Sequence, residues 1–251
     1  MRSRSPRPQQ LAFDLNTPHP KAGRDARGQS SGRLRDHHLL RLGAMIYLSA
    51  ADTPLLREAA GRGYRVGLMS TPENGVARYS AHYGAWAGDN GCYSLGHRFN
   101  LDRFLSWLDR QDRATCLFAA APDVVGDAGA TWARSAPVLP VLRGLGFRAA
   151  LVAQDGWGDA DVDWDSFDTL FVGGTTAFKL AETTYALARE AKARGKWIHM
   201  GRVNSWPRIR MAALGGYDSV DGSGIAINPG KNLARVLRWL DRLALQRAFP
   251  V

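Results

Sequence analysis

The chain has 251 residues, of which 45% are hydrophobic and 22% are charged, a composition that supports one sizeable core. No run approaches the roughly 18 consecutive apolar residues of a membrane span, which excludes an integral membrane protein. The two cysteines, Cys92 and Cys116, are too few for a disulfide scaffold or a cysteine-rich structural zinc site. Because no apolar stretch follows the basic first residues, we expect no secretory signal and a cytoplasmic protein, in a phage-infected or bacterial cell.

The formal net charge of +10 is concentrated near the start of the chain. Residues 1–43 carry nine lysines or arginines against three acids, and they are rich in proline, glycine and serine without hydrophobic periodicity. This composition predicts a basic, disordered N-terminal arm. Such an arm either lies along a phosphate backbone, where it releases counterions, or only aids solubility, and the composition favours neither.

From residue 44 to residue 251, short apolar runs alternate with amphipathic stretches. The apolar runs lack clean polar alternation, which is typical of strands that are buried on both faces of a parallel sheet. The eight predicted strands are, in chain order, 45–48, 65–69, 85–87, 116–119, 149–153, 169–172, 197–200 and 217–220.

Helices are predicted between the strands. Leucines and a phenylalanine at helical spacing in 101–108 mark one helix, with Asn100 as its N-cap. A second helix is predicted over 177–194 and ends before Gly195, a residue that suits the C′ position. Leucine and valine repeat at helical spacing over 233–243, in the last element. Eight strands with intervening helices predict an α/β fold, a compact (β/α)8 TIM barrel, and an open doubly wound sheet is the alternative.

Polar residues follow six successive apolar runs. In a barrel these segments lie together at the C-terminal rim of the strands, where functional groups gather. Each segment alone is also common turn chemistry, but the convergence of all six predicts a functional site. The segments are 88–94, 122–127, 154–156, 173–176, 200–205 and 218–224.

Several of these segments contain aspartates. Two carboxylates that face one pocket indicate a displacement at a sugar carbon, in which one attacks the anomeric carbon and a second group handles the proton. The second aspartate can act as acid and base if its surroundings raise its pKa. Alternatively, some of these carboxylates cap helices or bind backbone amides. The candidates are Asp89, Asp123, Asp218 and Asp221.

The order of these motifs resembles that of a known family. The sequence reads Asp-x-Gly-x-Tyr at 89–93, then Pro-Asp, Gln-x-Gly, Gly-Gly and Met-Gly, and a late Gly-x-Asp-x-x-Asp at 216–221. This set resembles the tRNA-guanine transglycosylase superfamily over roughly residues 85–230. The resemblance implies a (β/α)8 barrel that exchanges guanine for a 7-deazaguanine base. We expect no cofactor and no bound metal in this chain.

The resemblance also implies catalytic roles for two aspartates. Asp221 matches the nucleophile that attacks C1′ and displaces guanine through a covalent aspartyl-glycosyl intermediate. Asp89 matches the acid/base aspartate, in a motif that normally reads Asp-Ser-Gly-Gly. Here Asn90 and Cys92 replace the serine and the second glycine.

Base-binding roles follow from the same resemblance. Tyr93 matches the aromatic ring that stacks on the base, with Met200 opposite, and both side chains are polarizable. Asp123 matches the aspartate that reads the Watson–Crick edge, where a carboxylate accepts from N1–H and the exocyclic amino group. The opposite edge is assigned to Gln154 and to the backbone of Gly173 and Gly174.

The sequence departs from the tRNA-acting members of the family, which carry a Cys/His zinc subdomain after the last strands. No cysteine follows Cys116, and the last predicted element is one helix. These departures favour the 7-deazaguanine DNA transglycosylases of phages and bacteria, with preQ0 or a derivative as the incoming base. The expected partners are therefore DNA and a small 7-deazaguanine, and the sequence leaves the oligomeric state open.

A duplex cannot present C1′ to a buried aspartate, so the target nucleotide must be flipped out or single-stranded. Cationic side chains near the rim are candidates for holding its phosphates, namely Arg202, Arg208, Arg210 and Lys231. Three alternatives remain: the same exchange on tRNA, a different barrel hydrolase or lyase, and a non-catalytic barrel that only binds nucleic acid.

Overall fold

The computed structural model describes residues 45–248, and the predicted arm at 1–43 lies outside the described residues. The described chain forms a closed barrel of eight parallel strands in chain order, in which the last strand pairs with the first. This confirms the predicted (β/α)8 TIM barrel, and the open-sheet alternative is wrong. The strands are β1 Ile46–Ser49, β2 Val66–Ser70, β3 Trp86–Gly88, β4 Cys116–Ala120, β5 Ala149–Ala153, β6 Thr169–Val172, β7 Trp197–Met200 and β8 Ser219–Gly222.

Helices connect the strands and cover the outside of the barrel. None of the helices in residues 45–248 combines the length and the apolar character that crossing a membrane requires. In chain order they are α1 Pro54–Gly61, α2 Cys92–Leu95, α3 Leu101–Asp109, α4 Ala128–Ser135, α5 Leu139–Gly144, α6 Thr176–Leu180, α7 Glu182–Ala193, α8 Trp206–Leu214, α9 Gly224–Ile227 and α10 Pro229–Ala248.

The predicted helix boundaries hold where a capping residue marks them. The side chain of Asn100 accepts a hydrogen bond from the backbone N–H of Arg103 at 2.8 Å and so caps α3. Gly195 follows the end of α7 with a φ of +71°, a conformation that favours glycine. These two signals are local, which is why the sequence alone identifies them.

The single helix predicted over 177–194 is wrong, because the structure divides it into α6 and α7. Ala181, between the two helices, has an extended backbone with a ψ of 147°. The hydroxyl of Thr184 donates to the carbonyl oxygen of Phe178 at 2.5 Å, so a side chain occupies an acceptor near the end of α6. The break leaves α6 as a separate short helix directly after β6.

Alternation along the strands divides the core into two layers. Residues that point inward fill the barrel, where the ring centroids of Phe118 and Phe171 lie 6.0 Å apart. Residues that point outward, such as Leu170 and Ile198, pack between the strands and the helices. Inward side chains near the C-terminal ends of the strands therefore face the region above this packed interior.

Candidate active site

A cavity of about 110 Å³ opens at the C-terminal ends of the strands, and segments following β3, β4, β5, β6 and β7 line it together with β8. The structure brings eight of the predicted site residues to this cavity. They are Asp89, Tyr93, Asp123, Gln154, Gly173, Gly174, Arg202 and Asp221. Residues that lie far apart in the sequence thus share one space, since parallel strands end on the same side of a barrel.

Asp221 points inward from β8 and is held through one carboxylate oxygen. Its Oδ1 lies 3.1 Å from Nε2 of His199 and accepts the backbone N–H of Arg202 at 3.2 Å. Within residues 45–248, no hydrogen bond reaches the other oxygen, Oδ2. The carboxylate is therefore oriented by two contacts while one oxygen stays available to a ligand.

His199 is a site residue that the sequence analysis missed. It is fully buried on β7, and its Nδ1 lies 2.9 Å from the hydroxyl oxygen of Ser219. That hydroxyl oxygen also accepts the indole N–H of Trp197 at 2.9 Å. Because an indole nitrogen can only donate, the Ser219 hydroxyl hydrogen is free to donate to Nδ1. We infer that Nε2 carries the ring proton and donates it to Asp221.

A sequence signal for this contact existed. His199 pairs with Ser219 in the β7–β8 register, so His199 points inward two residues before the position of Asp221 on the neighbouring strand. A histidine at an inward position of a buried strand needs hydrogen-bond partners, because an unsatisfied polar group in the core is costly. His199 is the one ionisable residue in the predicted strand 197–200, and this was the available evidence.

Asp89 differs from Asp221 in its surroundings. It is half-buried directly after β3, and its Oδ1 accepts the backbone N–H of Gly91 at 3.1 Å. Burial, together with smaller effects of the nearby charges of Asp221 and Asp123, raises the pKa of Asp89 to about 7. A carboxyl group with this pKa exchanges protons readily at neutral pH, as an acid/base group requires.

Asp123 is the centre of a buried hydrogen-bond network. Its Oδ1 accepts from the side-chain amide of Asn90 at 3.0 Å, and its Oδ2 accepts from that of Gln154 at 2.6 Å. Burial raises the pKa of Asp123, and these two hydrogen bonds act in the opposite direction. Asn90 and Gln154 therefore orient Asp123, which keeps lone pairs for a ligand.

Gly173 brings the main chain close to the cavity. A Cβ atom on Gly173 would lie 2.6 Å from Cγ1 of Val152 and 3.1 Å from Nε2 of Gln154. No larger residue fits without moving its neighbours, so glycine here lets the backbone line the cavity.

Tyr93 and Arg202 meet at the mouth of the cavity. The Tyr93 ring is 65% exposed, and the guanidinium carbon of Arg202 lies 4.5 Å from its centroid. Arg202 has a φ of +59° and also donates to the carbonyl oxygen of Gly174 at 2.9 Å. The guanidinium therefore bridges the β3 and β6 sides of the mouth, and a base that stacks on this face of Tyr93 must displace it.

The structure does not bring Met200 to the cavity. Met200 is 1% exposed and packs in the layer between the strands and the helices. The alternation that points His199 inward points Met200 outward, so Met200 does not face Tyr93. The structure therefore contradicts the expectation that a base stacks between Tyr93 and Met200.

The cavity lining does not include Asp218 or three of the predicted phosphate-binding residues, Arg208, Arg210 and Lys231. Arg208 on α8 is half-buried and contacts the carbonyl oxygen of Arg202 at 3.3 Å, behind the mouth of the cavity. Lys231 and Arg210 are exposed and do not line the cavity. Asp218 precedes β8 at the other end of the barrel, where its Oδ1 lies 2.5 Å from Nζ of Lys192.

Lys179 is a second residue that the sequence analysis missed. It lies on α6, is 4% exposed, and lines the cavity. Its Nζ donates to the carbonyl oxygen of Gly201 at 3.1 Å. Burial, together with a smaller effect of the charge of Arg202, lowers the pKa of Lys179 to about 8. The sequence analysis predicted one helix over 177–194 and gave no reason to place this lysine inside the barrel.

Within residues 45–248, no group of three or more His, Cys, Asp or Glu side chains is arranged so that it could hold a metal ion. The two cysteines, Cys92 and Cys116, are free thiols.

Comparison with known proteins supports the fold of the chain. The sequence matches no family model and no curated protein. Among solved structures, it is similar to a mutant tryptophan synthase alpha-subunit from a hyperthermophile, Pyrococcus furiosus, with a TM-score of 0.51 and 15% sequence identity. The match covers 80% of this chain and 98% of that chain. A likeness at this identity supports the TIM-barrel architecture alone.

Proposed function

We propose that this barrel exchanges guanine in DNA for a 7-deazaguanine base through a covalent aspartyl-glycosyl intermediate. The observation that carries the proposal is that two carboxylates in different environments line one cavity. Asp221 is oriented by hydrogen bonds with one oxygen available, and the pKa of Asp89 is raised to about 7. One nucleophile and one proton carrier are what displacement at a sugar carbon requires.

The network around Asp123 supports recognition of a guanine-like base. Its carboxylate is held by Asn90 and Gln154 and retains lone pairs that can accept N1–H and the exocyclic amino group. An adenine offers no such pair of donors on its Watson–Crick edge, so this carboxylate discriminates between the two purines. The backbone at Gly173 and Gly174 lines the neighbouring wall.

In the first half-reaction, Oδ2 of Asp221 attacks C1′ of the flipped nucleotide. The C1′–N9 bond breaks, its electron pair goes to guanine, and Asp89 transfers its proton to the leaving base. His199 and the N–H of Arg202 hold the carboxylate in position during the attack. The products are free guanine, a glycosyl ester of Asp221 and the carboxylate of Asp89.

In the second half-reaction, the 7-deazaguanine occupies the place of guanine. Asp89 takes the proton from its N9–H, and N9 attacks C1′. The ester bond to Asp221 breaks, and its electron pair returns to the carboxylate. Each aspartate is therefore restored to its initial protonation state, and no cofactor enters the balance.

Basic residues at the rim support a nucleic-acid substrate. The net charge is +10, and on the side of the barrel where the cavity opens Arg202 and Arg208 follow β7 and Lys231 follows β8. Neutralisation of phosphates by such residues releases counterions and favours binding. DNA, rather than tRNA, is proposed from the resemblance to the DNA-acting branch.

Release of radiolabelled guanine tests the proposal. The full chain is incubated with guanine-labelled DNA or with labelled tRNA, together with unlabelled preQ0. We expect release from DNA, loss of release in Asp221→Ala, and unchanged release in the control Asp109→Asn, which alters a surface ion pair with Arg113. Release from tRNA alone would favour the tRNA alternative. Salt-sensitive DNA binding without any release would favour a non-catalytic barrel.

A further inference from the structure

The cavity contains a buried cation that the exchange mechanism does not use. Lys179 is 4% exposed, and its ammonium group donates to the carbonyl oxygen of Gly201 at 3.1 Å. An ammonium group has three N–H donors, and within residues 45–248 the other two have no hydrogen-bond partner. Burying such donors without partners is costly, so a ligand that supplies acceptors there gains binding energy.

Charges around Lys179 make this wall of the cavity positive. Arg202 and Arg208 lie near enough to lower its pKa, while Asp221 and Asp155 act in the opposite direction. With a pKa of about 8, the amine remains mostly charged at neutral pH. A second positive charge on a ligand would be repelled here, and a negative charge or a strong acceptor would be attracted.

We propose that Lys179 forms a subsite for an anionic or strongly accepting group of the ligand, an inference that rests on the proposed function. Two parts of the substrates carry this chemistry: a carboxylate or nitrile at C7 of the incoming base, and the phosphate of the target nucleotide. In the first case Lys179 also selects against an incoming base that carries an ammonium group. The carboxylates of Asp89 and Asp123 line the same cavity and suit the N–H groups of the base.

Titration calorimetry with the full chain tests the subsite without depending on turnover. One arm compares 7-deazaguanines that carry a carboxylate, a nitrile or an aminomethyl group at C7. The other arm compares 2′-deoxyguanosine with its 5′-monophosphate. We expect the carboxylate to bind roughly 10- to 100-fold more tightly than the aminomethyl compound, or the monophosphate to exceed the nucleoside by a similar factor.

Lys179→Met should remove that preference, because it keeps the length of the side chain and deletes the charge. Lys179→Gln is a second neutral variant in case the methionine protein does not fold. Lys196→Met is the matched control, since its Nζ also donates to a carbonyl oxygen, that of Phe167 at 2.8 Å, at the other end of the barrel. The control should keep the wild-type preference.

The outcome identifies the source of the acceptor. Loss of the preference in the base arm assigns the subsite to the C7 substituent, and loss in the nucleotide arm assigns it to the phosphate. Unchanged preferences in a folded Lys179 variant, or no preference in the wild type, would overturn the inference. If Lys179-dependent binding occurs without guanine exchange, the subsite stands and the proposed function fails. If guanine exchange occurs and binding does not depend on Lys179, the proposed function stands and the subsite fails.

Discussion

Replacing His199 tests whether Asp221 depends on the buried hydrogen-bond chain. His199→Leu keeps an apolar side chain of similar size against Phe118 and Phe171, whose ring centroids lie 5.0 and 4.4 Å from the imidazole. It removes the donor 3.1 Å from Oδ1 of Asp221. His199→Gln is the matched variant, because its amide N–H can reach the same oxygen.

The size of the effect follows from the type of hydrogen bond. A bond to a charged group contributes about 1.5–3 kcal/mol, and one factor of ten in rate corresponds to about 1.4 kcal/mol. Asp221 keeps the contact with the N–H of Arg202, so its orientation is weakened rather than lost. We therefore expect kcat for guanine release to fall roughly 10- to 100-fold in the leucine variant, with KM for DNA nearly unchanged.

Single-turnover guanine release gives the rate, and thermal melting checks that the variants are folded. The glutamine variant should recover most of the lost rate, which a purely structural role for His199 does not predict. The reasoning is refuted if a folded leucine variant releases guanine at the wild-type rate. It is equally refuted if both variants lose the same activity in proportion to a lowered Tm.

Three further predictions concern the cavity. The raised pKa of Asp89 favours the folded state below pH 4, and this contribution is lost as pH rises through about 7. Asp89→Asn should therefore be more stable than the wild type at pH 8 but not at pH 4, by at most about 4 kcal/mol in chemical denaturation. An equal difference in stability at both pH values contradicts this prediction. Wild-type guanine release should also decrease above pH 7 in single-turnover assays, and a rate that rises to pH 9 excludes Asp89 as the first proton donor. Gly173→Ala should lower base affinity at least tenfold in calorimetry, since its Cβ would lie 2.6 Å from Val152, and unchanged affinity would show that the wall does not contact the base.

The strands were predictable because their signal is local. Buried parallel strands are continuous apolar runs, and 149–153 and 169–172 coincide with β5 and β6. The rim residues followed from the same pattern, because each polar segment begins where an apolar run ends. The closed barrel then brings Asp89 and Asp221 to one cavity although 131 residues separate them.

The missed features depend on which way a side chain points. Met200 and His199 are neighbours in one strand, and alternation sends the first to the helices and the second to Asp221. Lys179 lies inside on the short helix α6, where its Nζ donates to the carbonyl oxygen of Gly201 after the neighbouring strand. Helical spacing in 177–194 gave no sign of the break between α6 and α7, since propensity is a weak guide where tertiary contacts decide.

The most direct test of the account is to locate the covalent intermediate. The full chain is incubated with guanine-containing single-stranded DNA in the absence of an incoming base, quenched with acid, digested, and mapped by mass spectrometry. The account predicts a deoxyribosyl adduct on Asp221, absent from Asp221→Asn. An adduct on another residue, such as Lys179, or continued base exchange by Asp221→Asn, would contradict it.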